Sequence, residues 1–201
     1  MKRGHVYTLV FMVVCAVALT LALALAYEGF KPRIARNRAL REQRAVLYAL
    51  GVTEPMTDEQ AVAAFEERVA PAEGAPVSAQ DKPILTYTEG GETLAYAVPF
   101  EGGALWGTIA GYLGVNADRT ELTGLSFTAQ NETPGLGGRI EETGWLEQFR
   151  GLPISEGEEV RYGTGDGWRI DAVTGATQTS AAVIRVINRT LRERVFSGEV
   201  E

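Results

Sequence analysis

The 201-residue chain is 45% hydrophobic and 22% charged, the balance of a folded protein with room for one ordinary domain and an appendage. Its net charge of −7 argues against a nucleic-acid partner, which needs a basic face. Cys15 is the single cysteine and His5 the single histidine, so disulfide frameworks, Cys-ligated zinc and Ser-His-Asp machinery are excluded, and any redox or group-transfer chemistry has to borrow its reactive part from a cofactor.

Residues 1–5 form a short tail, and residues 6–27, "VYTLVFMVVCAVALTLALALAY", carry no charge. About 20 apolar residues cross the hydrocarbon core of a bilayer. A cleaved signal peptide is the alternative, with "MKRGH" as its basic start and "ALA" before Tyr27 as its cleavage site. Signal h-regions run to about 7 to 15 residues, however, and this run is longer, so an uncleaved transmembrane anchor is expected. Lys2 and Arg3 precede the span, whereas Lys31, Arg33, Arg36, Arg38, Arg41 and Arg44 follow it. Counting positive charge would keep the body inside the cell, but long domains translocate largely regardless of charge, so the count leaves the side open.

A helical membrane-proximal region is expected over 28–80. Ile34, Leu40, Ala45, Leu47 and Leu50 recur at helical spacing, Gly51 closes that helix, and its arginines can meet lipid headgroups or solvent. "TDEQ" at 57–60 fits a capping box with Thr57 as N-cap and Gln60 at the third helical position; that helix runs to about Val69 and "APAEGAP", 70–76, breaks it.

Residues 81–201 read as one domain. "PILTYTEGGETLAYAVPF" predicts a hairpin folded at Gly90-Gly91. "ALWGTIAGYLGV" and "ELTGLSFTAQ" predict a second, turning near "NADRT". Gly102, Gly103, Gly107, Gly111 and Gly114 interrupt these strands, which calls for bends or for close approach by a flat ligand or another backbone. "RIEETGWLEQFRG", 139–151, predicts a short helix burying Ile140, Trp145, Leu146 and Phe149. "EEVRYG" and "GWRIDAV" predict late strands, and "AAVIRVINRTLRERV" a final helix with Ala182, Ile184, Val186, Ile187, Leu191 and Val195 on its apolar side. The fold class is α+β: a largely antiparallel sheet with flanking helices behind a single N-terminal span.

Two stretches carry chemistry. "DAVTGATQTS", 171–180, places Thr174, Thr177, Thr179 and Ser180 where a strand gives way to a helix, with Gly175 at the corner. Thr177, Thr179 or Ser180 can cap that helix, and its free amides also suit a phosphate. "NETPGLGGRI", 131–140, has a Pro134-Gly135 turn and exposes backbone amides, yet it is neither a dinucleotide fingerprint nor a P-loop.

Together, in this order, the two stretches resemble the FMN-binding domain found in the C subunit of the sodium-translocating NADH:quinone reductase and in the G subunit of the Rnf electron-transport complex. "DAVTGAT" matches that family's flavinylation signature, "ETPGLGG" its second block, and "GGALWGTIAGYLGV" is similar to the strand before it. The resemblance covers nearly the whole chain. It implies FMN joined through its phosphate to Thr177, with Asp171, Thr174, Gly175 and Ala176 as the frame read by a Mg²⁺-dependent flavin transferase that takes FMN from FAD. It further implies that Glu132, Thr133, Pro134, Gly135, Leu136 and Gly137 lie by the cofactor, with Trp106 or Tyr112 stacking on its ring. No metal ligands and no acid–base pair are expected in the chain. The expected role is an electron-relay subunit, not a complete enzyme, in an ion-translocating membrane complex, anchored in the cytoplasmic membrane with its domain on the outer side. Its partners are the other subunits, the transferase and the bilayer. A free-standing extracytoplasmic flavoprotein and an anchored domain without cofactor are the alternatives.

Overall fold

The computed structural model describes residues 2–72, 82–163 and 169–197. It divides into two compact units, residues 1–40 and 41–201. A continuous helix, α1 (Lys2–Ala49), begins in the first. From Val6 to Phe30 its large apolar side chains are exposed all round, a surface that suits a lipid environment. Among the described residues it is the one helix long and apolar enough to cross a membrane. Pro32 is accommodated inside it.

In the second unit α1 ends at Gly51, whose φ of +93° is open to glycine. Gly51 N–H donates to Tyr48 O and Val52 N–H to Leu47 O, the paired bonds of a Schellman close. The expected capping box is present at α2 (Asp58–Arg68), where Thr57 and Gln60 bond reciprocally.

Six strands follow in simple meander order, every neighbour antiparallel: β1 (Val69–Pro71), β2 (Leu85–Glu89), β3 (Glu92–Gly103), β4 (Thr108–Asn116), β5 (Glu121–Ala129) and β6 (Leu152–Pro153). Both predicted hairpins form. Gly90 and Gly91 have φ of +62° and +88°, the backbone that a two-residue turn between twisted strands demands. Strand β4 begins at Thr108, not Ala104, because Ala104 N–H turns back to Gly107 O at 2.7 Å. Two short strands go beyond the sequence pattern. Val69–Pro71 pairs with Leu85–Tyr87 instead of extending the helix, and Pro71 sits on an edge where a missing N–H costs nothing. Leu152–Pro153 is pinned by Leu122 and Glu121. Residues 73–76 of the predicted break lie outside the described residues.

The predicted helix over 139–151 is instead three short pieces: a 3₁₀ turn (Gly137–Glu141), α3 (Thr143–Leu146) and a second 3₁₀ turn (Glu147–Phe149). Extended backbone at Glu142 (ψ 132°) and Gly144 within α3 prevent a single run. The four expected apolar residues are nevertheless buried. The late strands shrink to β7 (Arg161–Tyr162) and β8 (Arg169–Ile170), paired in parallel; Gly167 and Trp168 lie outside the described residues. The final helix, α4 (Thr177–Thr190), buries all six expected apolar positions together with Val183, the last two through a π turn (Leu191–Val195).

Helices contact both faces of the sheet, and glycines set how closely. A Cβ on Gly114 would lie 1.8 Å from Ala49 O, and one on Gly124 2.9 Å from Tyr48 O, so the last turn of α1 rests directly on β4 and β5. A Cβ on Gly102 would lie 2.4 Å from Val186 of α4. Of the five strand glycines singled out, Gly102 and Gly114 thus admit α4 and the end of α1, Gly111 lies against Ser126 O and Phe100, Gly107 meets only Asn131, and Gly103 has nothing within 4 Å. Ser126 and Thr123 hydroxyls donate to Ala45 O (2.6 Å) and Ala49 O (2.7 Å), satisfying carbonyls at the end of α1. The main core lies under α4, with Phe149, Ile84, Ile109, Leu113, Leu122, Leu125, Ile140 and Ile187 fully buried.

Candidate flavin site

The "DAVTGAT" segment is held by bonds from three directions. Trp145 Nε1–H donates to Asp171 O (2.8 Å), and Asp171 N–H to Gln148 Oε1 (2.7 Å). Ser180 Oγ accepts from Val173 N–H (2.9 Å) and donates to Ala176 O (3.1 Å). Ala176 N–H closes the turn onto Val173 O at 2.9 Å, and Gly175 takes a φ of +79° that Cβ-bearing residues resist. A Cβ there would also lie 3.4 Å from Leu136 Cδ2.

The hydroxyls divide by burial. Thr179 and Ser180 are interior, 1% and 0% exposed, whereas Thr174 and Thr177 face solvent. None of them caps the helix. The N-cap is Ala176, and among the described residues no side chain bonds the first amides of α4. The capping role expected of Thr177, Thr179 or Ser180 is therefore corrected: Thr177 is itself the first helical residue, and the other two point into the core. The helix start keeps free N–H groups and its partial positive charge.

"ETPGLGG" lies against this corner. Leu136 N–H donates to Thr133 O at 3.1 Å and Gly135 has φ +76°, the type II turn that Pro134-Gly135 predicts. Thr133, Pro134, Gly135 and Leu136 are exposed, while Glu132 and Gly137 are buried. Arg139 closes on Glu142 through Nε at 2.9 Å and Nη2 at 3.1 Å. The hydrogen bonds raise the guanidinium pKa and lower that of the carboxyl.

Glu132 joins the predicted segments. Its Oε1 accepts from Trp106 N–H (2.8 Å) and its Oε2 from the Thr179 hydroxyl (2.7 Å). The Trp106 ring is 68% exposed and Leu136 48%. Tyr112, the other aromatic considered for stacking, is buried in β4 among Val46, Ala49 and Leu50, its hydroxyl donating to Glu42 at 2.8 Å. Burial pushes that hydroxyl well above its usual pKa, and the Glu42 carboxylate adds to the shift.

A groove of about 240 Å³ runs beside the first turns of α4, lined by Thr177, Gln178, Ala181, Leu105, Tyr162 and Arg185. Its lining includes residues that sequence reasoning missed. Leu105 is adjacent to Trp106 and within reach of the motif logic, but nothing local ties Tyr162 or Arg185 to Thr177. Among the described residues no cluster of His, Cys, Asp and Glu can hold a metal. The fit to a flavin nucleotide is good in kind: an exposed hydroxyl acceptor, uncapped helix amides for a phosphate, and exposed Leu105, Trp106, Leu136 and Tyr162 for a flat apolar ring.

Residues 104–192 match the family described as FMN-binding domain. The C subunit of the Na(+)-translocating NADH-quinone reductase of Pasteurella multocida is 25% identical over 222 residues, spanning 88% of this chain and 85% of that protein. The G subunit of the ion-translocating oxidoreductase complex of Methanosarcina acetivorans is 27% identical over 184 residues, spanning 90% and 89%. The crystal structure of Shewanella oneidensis NqrC shares the fold, with a TM-score of 0.62 at 22% identity over 77% of this chain and 90% of that one. The fold, the motif geometry and these likenesses agree: residues 104–192 match the FMN-binding domain, and the chain is similar along most of its length to the C subunit of the Na(+)-translocating NADH-quinone reductase and the G subunit of the ion-translocating oxidoreductase complex.

Proposed function

We propose that this chain carries FMN in phosphoester linkage to Thr177 and relays electrons within an ion-translocating membrane oxidoreductase complex. The observation that carries the reading is the sorting of hydroxyls at one helix start: Thr177 is exposed at the first, uncapped turn of α4, while Thr179 and Ser180 are buried and bonded. Of the three hydroxyls on α4's first turn, a transferase can reach only Thr177 without opening the core; Thr174, also exposed, lies before the corner.

In the attachment step the Thr177 hydroxyl oxygen forms a bond to the flavin-side phosphorus of FAD. The pyrophosphate bond breaks, AMP leaves, and the hydroxyl proton passes to solvent or to a base of the Mg²⁺-dependent transferase. Asp171, Thr174, Gly175 and Ala176 present the acceptor, because Trp145, Gln148 and Ser180 fix their backbone. Free amides at the start of α4 favour the remaining phosphodiester charge by roughly 0.3–1 kcal/mol, too little for retention without the covalent bond. Trp106 and Leu136 offer apolar surface to the ring, and Thr133, Pro134 and Gly135 its rim. Glu132 and Gly137 act from underneath. When bound, the isoalloxazine supplies one- and two-electron redox chemistry; the protein holds and orients it.

The apolar surface of α1 and the membrane-complex relatives support anchoring in the cytoplasmic membrane. We place the domain on the outer side, with the other subunits as partners. The test is intact mass and in-gel flavin fluorescence after co-expression with a flavin transferase. The wild-type chain acquires an FMN-sized adduct on the tryptic peptide containing Thr177, and Thr177→Ala acquires none. An unmodified wild-type peptide sinks the reading. Reporter fusions to the C-terminus decide the side.

A further inference from the structure

The carboxylate of Glu132 is a buried anion without a cation. It is 5% exposed, and among the described residues no lysine or arginine pairs with it. Its stabilisation comes from two donors on different segments: Trp106 N–H on the loop between β3 and β4, and the Thr179 hydroxyl at the third residue of α4. Its own N–H is held by Gln130 Oε1 at 2.7 Å. Gly137 closes the fourth side, where a Cβ would come within 2.8 Å of both Glu132 Oε2 and Thr179 Oγ1. Burying a charge without a counter-ion is costly, so a site that keeps one uses it for position or for charge.

We propose that Glu132 is a positioning residue for the flavin, a latch that fixes the Trp106 loop against the first turn of α4 and sets a carboxyl group at the flavin site. The inference rests on the proposed covalent FMN. The loop, through Leu105, and the first turns of α4, including Thr177, line the same groove. Among the described residues the Ala104–Gly107 turn is closed by its own backbone bond at 2.7 Å, and Glu132 links it through Thr179 to the first turn of the helix. Thr179, two residues past the acceptor, is then a strut and not a second acceptor. The charge acts on the redox equilibrium, because a flavin that gains negative charge on reduction is disfavoured beside a carboxylate.

Three full-length variants separate geometry from charge, each loaded by co-expression with the transferase. Glu132→Gln keeps size and one acceptor but removes the charge. Thr179→Val keeps shape but removes the donor. Gly137→Ala leaves every polar group in place and wedges the latch apart. In-gel fluorescence after denaturation reports attachment, and it stays at the wild-type level in all three. In the native state, Thr179→Val and Gly137→Ala show increased flavin fluorescence, because Trp106 no longer sits against the ring and quenches it. Glu132→Gln shows a midpoint potential shifted to more positive values with native fluorescence near wild type. Loaded variants with wild-type fluorescence and wild-type potential overturn the latch while leaving the attachment intact. A wild-type chain with no fluorescent band overturns the attachment itself, and the latch with it.

Discussion

The two ends of the domain that meet a helix terminus are built in opposite ways. Where α1 ends, the polar groups described are engaged: Gly51 and Val52 take up Tyr48 and Leu47 carbonyls, Ser126 and Thr123 take those of Ala45 and Ala49, and the Tyr48 hydroxyl donates to Glu147 at 2.5 Å beneath the Arg150 guanidinium. Where α4 begins, the amides have no side-chain cap, the first threonine faces solvent, and Trp106 and Leu136 stand exposed. The sequence has hydroxyls at both places. At the first they close the structure. At the second they are sorted, Thr179 and Ser180 inward as struts and Thr174 and Thr177 outward. Helix ends in proteins are normally satisfied by side chains, water or ligands, and the open one is where the proposed flavin phosphate would lie.

Breaking the open end has the largest expected effect. Thr177→Ala removes all covalent flavin, read by in-gel fluorescence, and leaves the thermal midpoint of the apoprotein unchanged because the side chain makes no hydrogen bond among the described residues. Closing the gap at the other end comes next. Gly114→Ala pushes a methyl into Ala49 O, 1.8 Å from the Cβ position, so the end of α1 has to lift from the sheet. The expected cost is about 3 kcal/mol, the upper range for overpacking, read as a fall in denaturation midpoint of the detergent-solubilised chain. Ser126→Ala leaves the Ala45 carbonyl without its hydroxyl partner and costs about 1 kcal/mol in the same assay.

The smallest effect is the pH response of the closed end. Hydrogen bonds from Arg150 and Tyr48 hold the Glu147 carboxyl below its usual pKa. A depressed folded-state pKa contributes stability above the unfolded value that disappears as pH falls through the folded one. Stability therefore declines slightly on acidification below the ordinary carboxylate range, and Glu147→Gln flattens that part of the curve. Glu147 is 41% exposed, so solvent screens the pair and the slope is shallow.

Local chemistry made much of this legible. Gly51, the Thr57–Gln60 box, the Gly90-Gly91 hairpin and the Pro134-Gly135 turn each depend on residues within a few positions of one another, and each is present. Length is less local. The Val69–Pro71 strand exists because Leu85–Tyr87 waits beside it, and the 139–151 segment breaks because Glu142 leaves helical geometry. At the site, the motifs mark a single corner of the fold but not its internal wiring. Glu132 and Thr179 are 47 residues apart, and Trp145 meets Asp171 across 26. No periodicity reports such pairings. The hydroxyls could not be sorted into buried and exposed until α4 had a direction, and the strand glycines could not be matched to α1 until the sheet had two faces.

The attachment proposed at the first residue of a helix, and not in a loop, would have a mechanical consequence. A prosthetic group on a long flexible arm can visit distant stations; one fastened at Thr177 of a fourteen-residue helix whose inner face is locked into the core could not travel. Its freedom would be limited to the few torsions of its own chain, beside a groove of about 240 Å³. Donor and acceptor would then have to come to it, and the rhythm of electron hand-off would be set by motions of the neighbours and not of this protein.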